Sequence, residues 1–157
     1  MDPATLARWE RRLRPFVTRL PPALVVRLYA AGRRRFAAAL ARCRPPAVAV
    51  GEEHARVLWG IRFRAPLLNA AGMFKNGDGY EVAARQGAGG FLAGTTTAAP
   101  RRGNERHGVV QPFAPCPRSG AALNWLGLPN DGHARVAARL AAIGRRDGCP
   151  VGASVAA

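Results

Sequence analysis

The sequence predicts a parallel α/β fold preceded by a pair of helices. Three observations predict it. Short apolar segments without polar alternation recur at 66–71, 90–94 and 151–155, helical patterns separate them, and residues 1 to 45 show helical spacing throughout. Unalternating strands are those buried on both faces, as in a parallel sheet covered by helices. The 157 residues, 48% apolar and 21% charged, suffice for a globular core and exclude disordered, collagen-like and coiled-coil compositions.

From the N-terminus, Asp2 and Pro3 read as an N-cap and a first helical residue. Leu6, Trp9, Leu13, Phe16, Val17 and Leu20 follow at helical spacing, with Pro15 as a kink position and Pro21-Pro22 as the stop. A second helix is expected from Ala23 to Arg42, with Leu24, Leu28, Phe36 and Leu40 inside and Arg33 to Arg35 outside. Pro45-Pro46 closes this hairpin. Val57 to Trp59, Gly60, and Ile61 to Phe63 read as a small β-hairpin. Pro66 to Ala71 reads as a short buried strand and Glu81 to Gln86 as a helix stopped by Gly87. Gly90 to Gly94 is a strand opening into Thr95-Thr96-Thr97, and Ala98 to Gly120 a long Pro- and Gly-rich loop. Gly132 to Ile143 is a helix with Val136, Leu140 and Ile143 on one face, and Val151 to Val155 a third strand.

The net charge of +15 points to an anionic partner, but its distribution tempers that. All basic residues except Lys75 are Arg, as a GC-rich coding bias would give, and residues 1 to 45 hold 11 Arg against Asp2 and Glu10. Two readings of the N-terminal helices stay open: a pair packed on its own domain with solvated Arg outside, or an amphipathic unit lying on an anionic membrane surface. No apolar run approaches the roughly 18 residues of a membrane span. Arg8, Glu10, Arg11, Arg12 and Arg14 occupy the place of a signal peptide's apolar region. Cys43, Cys116 and Cys149 are odd in number, widely spaced and without metal-ligand spacing. A reducing compartment is therefore expected, with neither a disulfide framework nor a metal site.

In parallel α/β folds the site lies at the C-terminal ends of the strands. Those ends hold Ala71 to Gly77, Thr95 to Thr97, and Ser154, where the polar and glycine residues of the domain gather.

Three segments, AAGMFKNGDGYE (70–81), GTTTAAPRRGN (94–104) and LNWLGLPNDG (123–132), resemble the dihydroorotate dehydrogenases in order and separation. The resemblance covers residues 55 to 157 and implies an incomplete (β/α)8 TIM barrel of about three βα units, with residues 1–46 as a basic helical extension. The extension and the Ala-Ala-Gly…Lys-Asn-Gly motif look like the membrane-associated, quinone-using class. Gly-Leu-Pro-Asn (127–130) looks like the soluble class.

The family's chemistry implies FMN as cofactor, dihydroorotate and orotate as substrate and product, and quinone as acceptor. Ala71, Gly72, Met73, Lys75, Thr95 and Ser154 would contact the flavin, the small residues permitting close approach of the ring. Lys75, also pairing with the orotate carboxylate, Asn124, Trp125, Leu126, Gly127 and Leu128 would bind the substrate, with the Asn124 amide both donating and accepting. Asn130 is read as a helix N-cap before Gly132, and Asn104 as ordering the long loop. The sequence departs from the family at Phe74, Trp125, Leu128 and Ser154.

The family's Ser or Cys base falls beyond Ala157, so no catalytic residue is assigned and the 157 residues alone are expected to be inactive. The expected location is cytoplasmic, with residues 1 to 45 offering a peripheral contact on the inner face of the cell membrane. Two alternatives stay open: another FMN barrel acting on a pyrimidine, or a basic protein binding nucleic acid or a membrane surface. No RNA-binding signature accompanies the charge, and aromatics are only 7%, so nucleic acid is not an expected partner.

Overall fold

The computed structural model describes residues 3–144 and 146–157; Asp2, the expected N-cap, lies outside them. In chain order the elements are α1 (Pro3–Val17), α2 (Pro22–Ala41), a single 3-10 turn (Glu52–His54), β1 (Arg56–Leu58), β2 (Ile61–Phe63), β3 (Leu68–Asn69), α3 (Tyr80–Arg85) and β4 (Gly90–Thr96). There follow β5 (Glu105–Arg106), β6 (Val109–Val110), β7 (Phe113–Cys116), β8 (Ala121–Asn124), α4 (His133–Ile143) and β9 (Val151–Val155). They form two compact units: one of the described residues up to Leu40 with Arg102–Pro129, the other of Ala41–Arg101 with Asn130–Ala157. The linear segments 1–46 and 55–157 cut the chain differently.

In the second unit β3, β4 and β9 form a parallel sheet in that order, with α3 and α4 as the connecting helices, as the unalternating strands predict. Its core centres on β4. Phe91, 1% exposed, stacks on Phe74 at 6.2 Å between centroids and takes Tyr80 edge-on at 5.6 Å. Val82, Ala83, Ala93, Val136 and Cys149 complete the buried set. The Tyr80 hydroxyl donates to the Cys149 carbonyl at 2.8 Å, and burial pushes its pKa up to about 12. Arg64 reaches the end of α3, donating to the Ala84 carbonyl in its last turn and to the Ala88 carbonyl just beyond it.

β3 corrects one expectation. It is two residues long, and Leu67 and Leu68 are exposed rather than buried. The physical reason is its position: among the described residues β3 pairs only with β4, so it is an edge strand. The β1–β2 hairpin forms as expected, with Trp59 and Gly60 both at positive φ in the two-residue turn.

In the first unit both helices form, and Pro15 is accommodated in the last turn of α1. The expected interior stripe is not inside, however. Trp9 is 55% and Phe16 65% exposed, Leu13, Leu20, Leu24 and Leu28 are exposed too, and no residue of α1 is buried. α2 instead buries Val25 and Ala30. Arg33, expected outside, is half-buried and donates to the Gln111 side chain at 2.9 Å, while Arg34 donates to the Val110 carbonyl at 2.6 Å. These Arg contacts face α2 toward the 102–129 segment and leave the leucines out. Tyr29 donates to Glu10 at 3.0 Å, joining α2 to α1; Glu10 also takes two bonds from Arg14, which hold its carboxyl below the usual range.

The expected loop at 98–120 contains three short strands: β5 and β6 form an antiparallel ribbon, and β7 forms a second one with β8, which follows Gly120. The first turns at His107-Gly108, both at positive φ, and the second ends its turn at Gly120. Strands of two to four residues are too short for alternation to register in a sequence.

Candidate functional site

The C-terminal ends of β4 and β9 are joined by a β-bulge. Ala93 pairs with Ala153 and Thr96 with Val155, so Gly94 and Thr95 on β4 stand against Ser154 alone on β9. A bulge re-aims the side chain it carries. Here it brings the Thr95 hydroxyl to 2.9 Å from the Ser154 hydroxyl. Gly94 makes the bulge possible: its φ is +108°, and a Cβ there would strike the Ser154 carbonyl oxygen.

The Gly94 carbonyl accepts the Gly72 N–H at 2.7 Å, which ties the exit of β3 to the bulge. Gly72 lies at φ +106°, yet a Cβ built on it meets nothing within 4 Å. This glycine is therefore demanded by its backbone conformation, and open space stands where its side chain would be. The expected flavin contacts Ala71, Gly72, Thr95 and Ser154 are thus brought together in one unit.

The loop after Gly72 is anchored by Phe74, which is buried against Phe91. Gly79 lies against the Phe74 ring, where a Cβ would collide with it. Phe74 is a core residue, and its neighbours differ: Met73 is exposed and Lys75 half-buried.

Asn130 and Asn76 are the residues that sequence reasoning missed. Gly132, not Asn130, is the N-cap of α4, and it makes no side-chain cap bond. Asn130 is instead a buried hub whose amide oxygen accepts from Thr96, Thr97 and Gly132. The Asn76 side chain accepts the Asp131 N–H at 3.0 Å. The only signal in the sequence was the occurrence of an Asn in each motif.

The expected substrate loop belongs to the first unit. Asn124 ends β8 with its side chain exposed, and Trp125 N donates to the Pro112 carbonyl at 3.2 Å. Asn104, expected to order the long loop in which it stands, also ties that loop to this segment: its amide donates to the Trp125 carbonyl at 3.0 Å and its N–H to the Leu126 carbonyl at 2.9 Å. Gly127 and Leu128 both take positive φ, so the loop turns on two left-handed residues. Leu128 bears backbone strain there that glycine would not. Among the described residues no group of His, Cys, Asp or Glu is arranged to hold a metal ion.

The architecture resembles solved dihydroorotate dehydrogenases. The DHODH of Eimeria tenella in complex with ferulenol superposes with a TM-score of 0.67 at 21% identity, over 80% of this chain and 35% of that one. The family pattern for dihydroorotate dehydrogenase matches residues 54–156. Dihydroorotate dehydrogenase (quinone) from Salinispora arenicola is 38% identical over 142 residues, 87% of this chain and 40% of that protein. The protein of the same name from Methylococcus capsulatus is 33% identical over 84% of this chain and 37% of its own length. The chain belongs to the dihydroorotate dehydrogenase family, a family of oxidoreductases, and spans about two fifths of the length of these relatives.

Proposed function

We propose that this chain supplies cofactor and substrate contacts of an FMN-dependent enzyme that oxidises dihydroorotate to orotate in pyrimidine biosynthesis, with a quinone as electron acceptor. The observation that carries the reading is the open space over Gly72 beside the Thr95–Ser154 hydroxyl pair, at the ends of three parallel strands. The names of the relatives support the substrate and the acceptor. FMN bound there would supply the hydride acceptor. Ala71 and Gly72 would hold its ring against the backbone, and the Thr95 and Ser154 hydroxyls would offer it hydrogen bonds. Lys75 would neutralise the orotate carboxylate, and the family resemblance assigns Asn124, in the first unit, to a pyrimidine carbonyl and N–H. These groups bind and orient; none of them removes the substrate proton, so the 157 residues are expected to bind without turnover.

The test is titration of FMN into the full chain followed by flavin fluorescence, then addition of orotate followed by the flavin absorption band. Saturable quenching is expected, with a further band shift on orotate but not on uracil, which lacks the carboxylate. Lys75→Ala is expected to weaken the orotate response by about tenfold or more, the loss of a charge-assisted bond worth roughly 1.5–3 kcal/mol. Absence of quenching in the wild-type chain would overturn the cofactor reading. A response to uracil equal to that to orotate favours the alternative, an FMN barrel for another pyrimidine.

The same reading places the protein in the cytoplasm, peripheral on the inner face of the cell membrane through its N-terminal helices. Exposed Trp9, Leu13, Phe16 and Leu20 recur on one face of the N-terminal helical segment, amid cationic Arg. No helix among the described residues is long and apolar enough to cross a membrane. Liposomes containing phosphatidylglycerol are expected to float the chain, and Trp9→Glu with Phe16→Glu to abolish flotation. Flotation unchanged by both substitutions would exclude this surface.

A further inference from the structure

We infer that Asn130 is the positioning residue of the site, a latch that holds the exit of β4 and the loop carrying Gly72 and Lys75 in one arrangement. Its bearing on flavin binding rests on the function proposed above. Asn130 is only 5% exposed, and its carboxamide is used from both ends. Oδ1 accepts the Thr96 hydroxyl at 3.0 Å, the Thr97 N–H at 3.2 Å and the Gly132 N–H at 2.8 Å. Nδ2 donates to the Thr97 hydroxyl at 2.9 Å, and that hydroxyl passes its own proton to the Ala99 carbonyl at 2.8 Å. Two of the three donors to Oδ1 are backbone amides, which can only donate, so the amide cannot be turned over without stranding them.

The main chain of Asn130 is pinned as well, by reciprocal bonds with Arg101 at 2.9 Å. The next residue extends the latch. The Asp131 N–H donates to the Asn76 side chain at 3.0 Å, and Asn76 directly follows Lys75. On the other side, Thr96 directly follows Thr95, whose hydroxyl meets Ser154. Lys75 and Thr95, two of the residues that face the proposed ligands, are thus each one peptide away from a bond to Asn130 or to its neighbour. Asn130 itself touches neither ligand, and its role is to fix those that do.

The geometry predicts different results for substitutions of similar size. Asn130→Ala removes the shared acceptor and leaves two buried N–H groups without partners. Asn130→Asp keeps the acceptor for all three donors, and the Thr97 hydroxyl can turn to donate to it. Asn76→Ala cuts only the outer bond. The experiment is amide hydrogen exchange on the full chain, with FMN titration as the second readout. In Asn130→Ala, exchange at Thr97, Gly132 and residues 70–79 is expected to accelerate by about tenfold or more, while Phe91 and Ala93 in β4 keep their protection.

FMN affinity is expected to fall by about tenfold in Asn130→Ala and to be restored to within about threefold by Asn130→Asp. Asn76→Ala is expected to loosen 70–79 and leave Thr97 protected, which keeps the test decisive should Asn130→Ala fail to fold. Uniform acceleration through every strand, unchanged exchange at 70–79, or Asn130→Asp as weak as Asn130→Ala would overturn the latch. Absence of FMN binding in the wild-type chain would strike the functional reading alone, and the exchange pattern would still decide the latch.

Discussion

Phe91→Ala is expected to unfold the sheet-bearing unit at physiological temperature. The ring is 1% exposed, lies between Phe74 and Tyr80, and sits on the central strand, where residue 91 is in register with Asn69 on one side and Val151 on the other. Its N–H donates to the Pro150 carbonyl at 2.9 Å, so the backbone cannot move in to fill the vacated space. A Phe→Ala change in such a place costs about 3–5 kcal/mol, against roughly 5–15 kcal/mol for the whole stability of a domain. The melting temperature, followed by circular dichroism, should fall by roughly 12–40 °C. Phe91→Leu should lose much less, because it keeps most of the volume. The damage reaches the site as well. Phe74 loses the ring it stacks on, and Lys75 is the next residue, so a partly folded variant should already have lost its response to orotate. A fall of less than about 5 °C would show that Phe91 is not the centre of this core.

The parallel sheet was legible because its strands advertise themselves. Phe91-Leu92-Ala93 is a continuous apolar run bounded by glycines, and α4 follows as a clear 3.6-residue pattern. The helices of the first unit were legible as helices, but not in their orientation. Periodicity states which residues share a face and leaves open what covers it. Trp9 and Phe16 share a face that nothing in their own unit buries, while α2 turns Ala30 and Arg33 inward, where the Gln111 side chain accepts from Arg33 and the Val110 carbonyl from Arg34. Those acceptors lie more than seventy residues away in the chain, beyond the reach of any local pattern.

The site divides in the same way. Gly72, Lys75 and Thr95 were singled out because each stands in a motif at the end of an apolar run, and Thr95 proves to lie within β4 itself. The bulge could not, since it is a property of how β4 and β9 align, and its two sides come from segments 59 residues apart at Thr95 and Ser154. Asn130 was misread for a related reason. An Asn two residues before a glycine and a helix looks like a cap, whereas its oxygen is claimed by donors from Thr96 and Thr97, 34 and 33 residues earlier. Local grammar names the residues at a strand end, and long-range hydrogen bonding decides which of them touch a ligand and which hold the others in place.

Gly72→Ala is expected to abolish FMN binding while the fold survives, and Gly94→Ala is expected to do the reverse damage. Both glycines sit at nearly the same φ, +106° and +108°, so an alanine at either place carries a similar backbone penalty of roughly 1–2 kcal/mol or somewhat more. They differ in what the added methyl meets. At Gly94 it strikes the Ser154 carbonyl oxygen, within the bulge that joins two strands, so β4 and β9 must separate. At Gly72 it meets nothing of the protein, and the N–H bond to the Gly94 carbonyl remains in place. The Gly72→Ala chain should therefore melt only a few degrees, roughly 4–16 °C, below the wild type. Its methyl would nonetheless stand where the function proposed above puts the flavin ring against backbone. An affinity loss of about a hundredfold, near 2.7 kcal/mol, is expected in the fluorescence titration. Because the melting curve and the titration are measured on the same sample, folding and binding are separated directly. Unchanged FMN affinity in a folded Gly72→Ala chain would mean that the space over Gly72 is not the flavin's, and the cofactor would have to be sought elsewhere on the sheet.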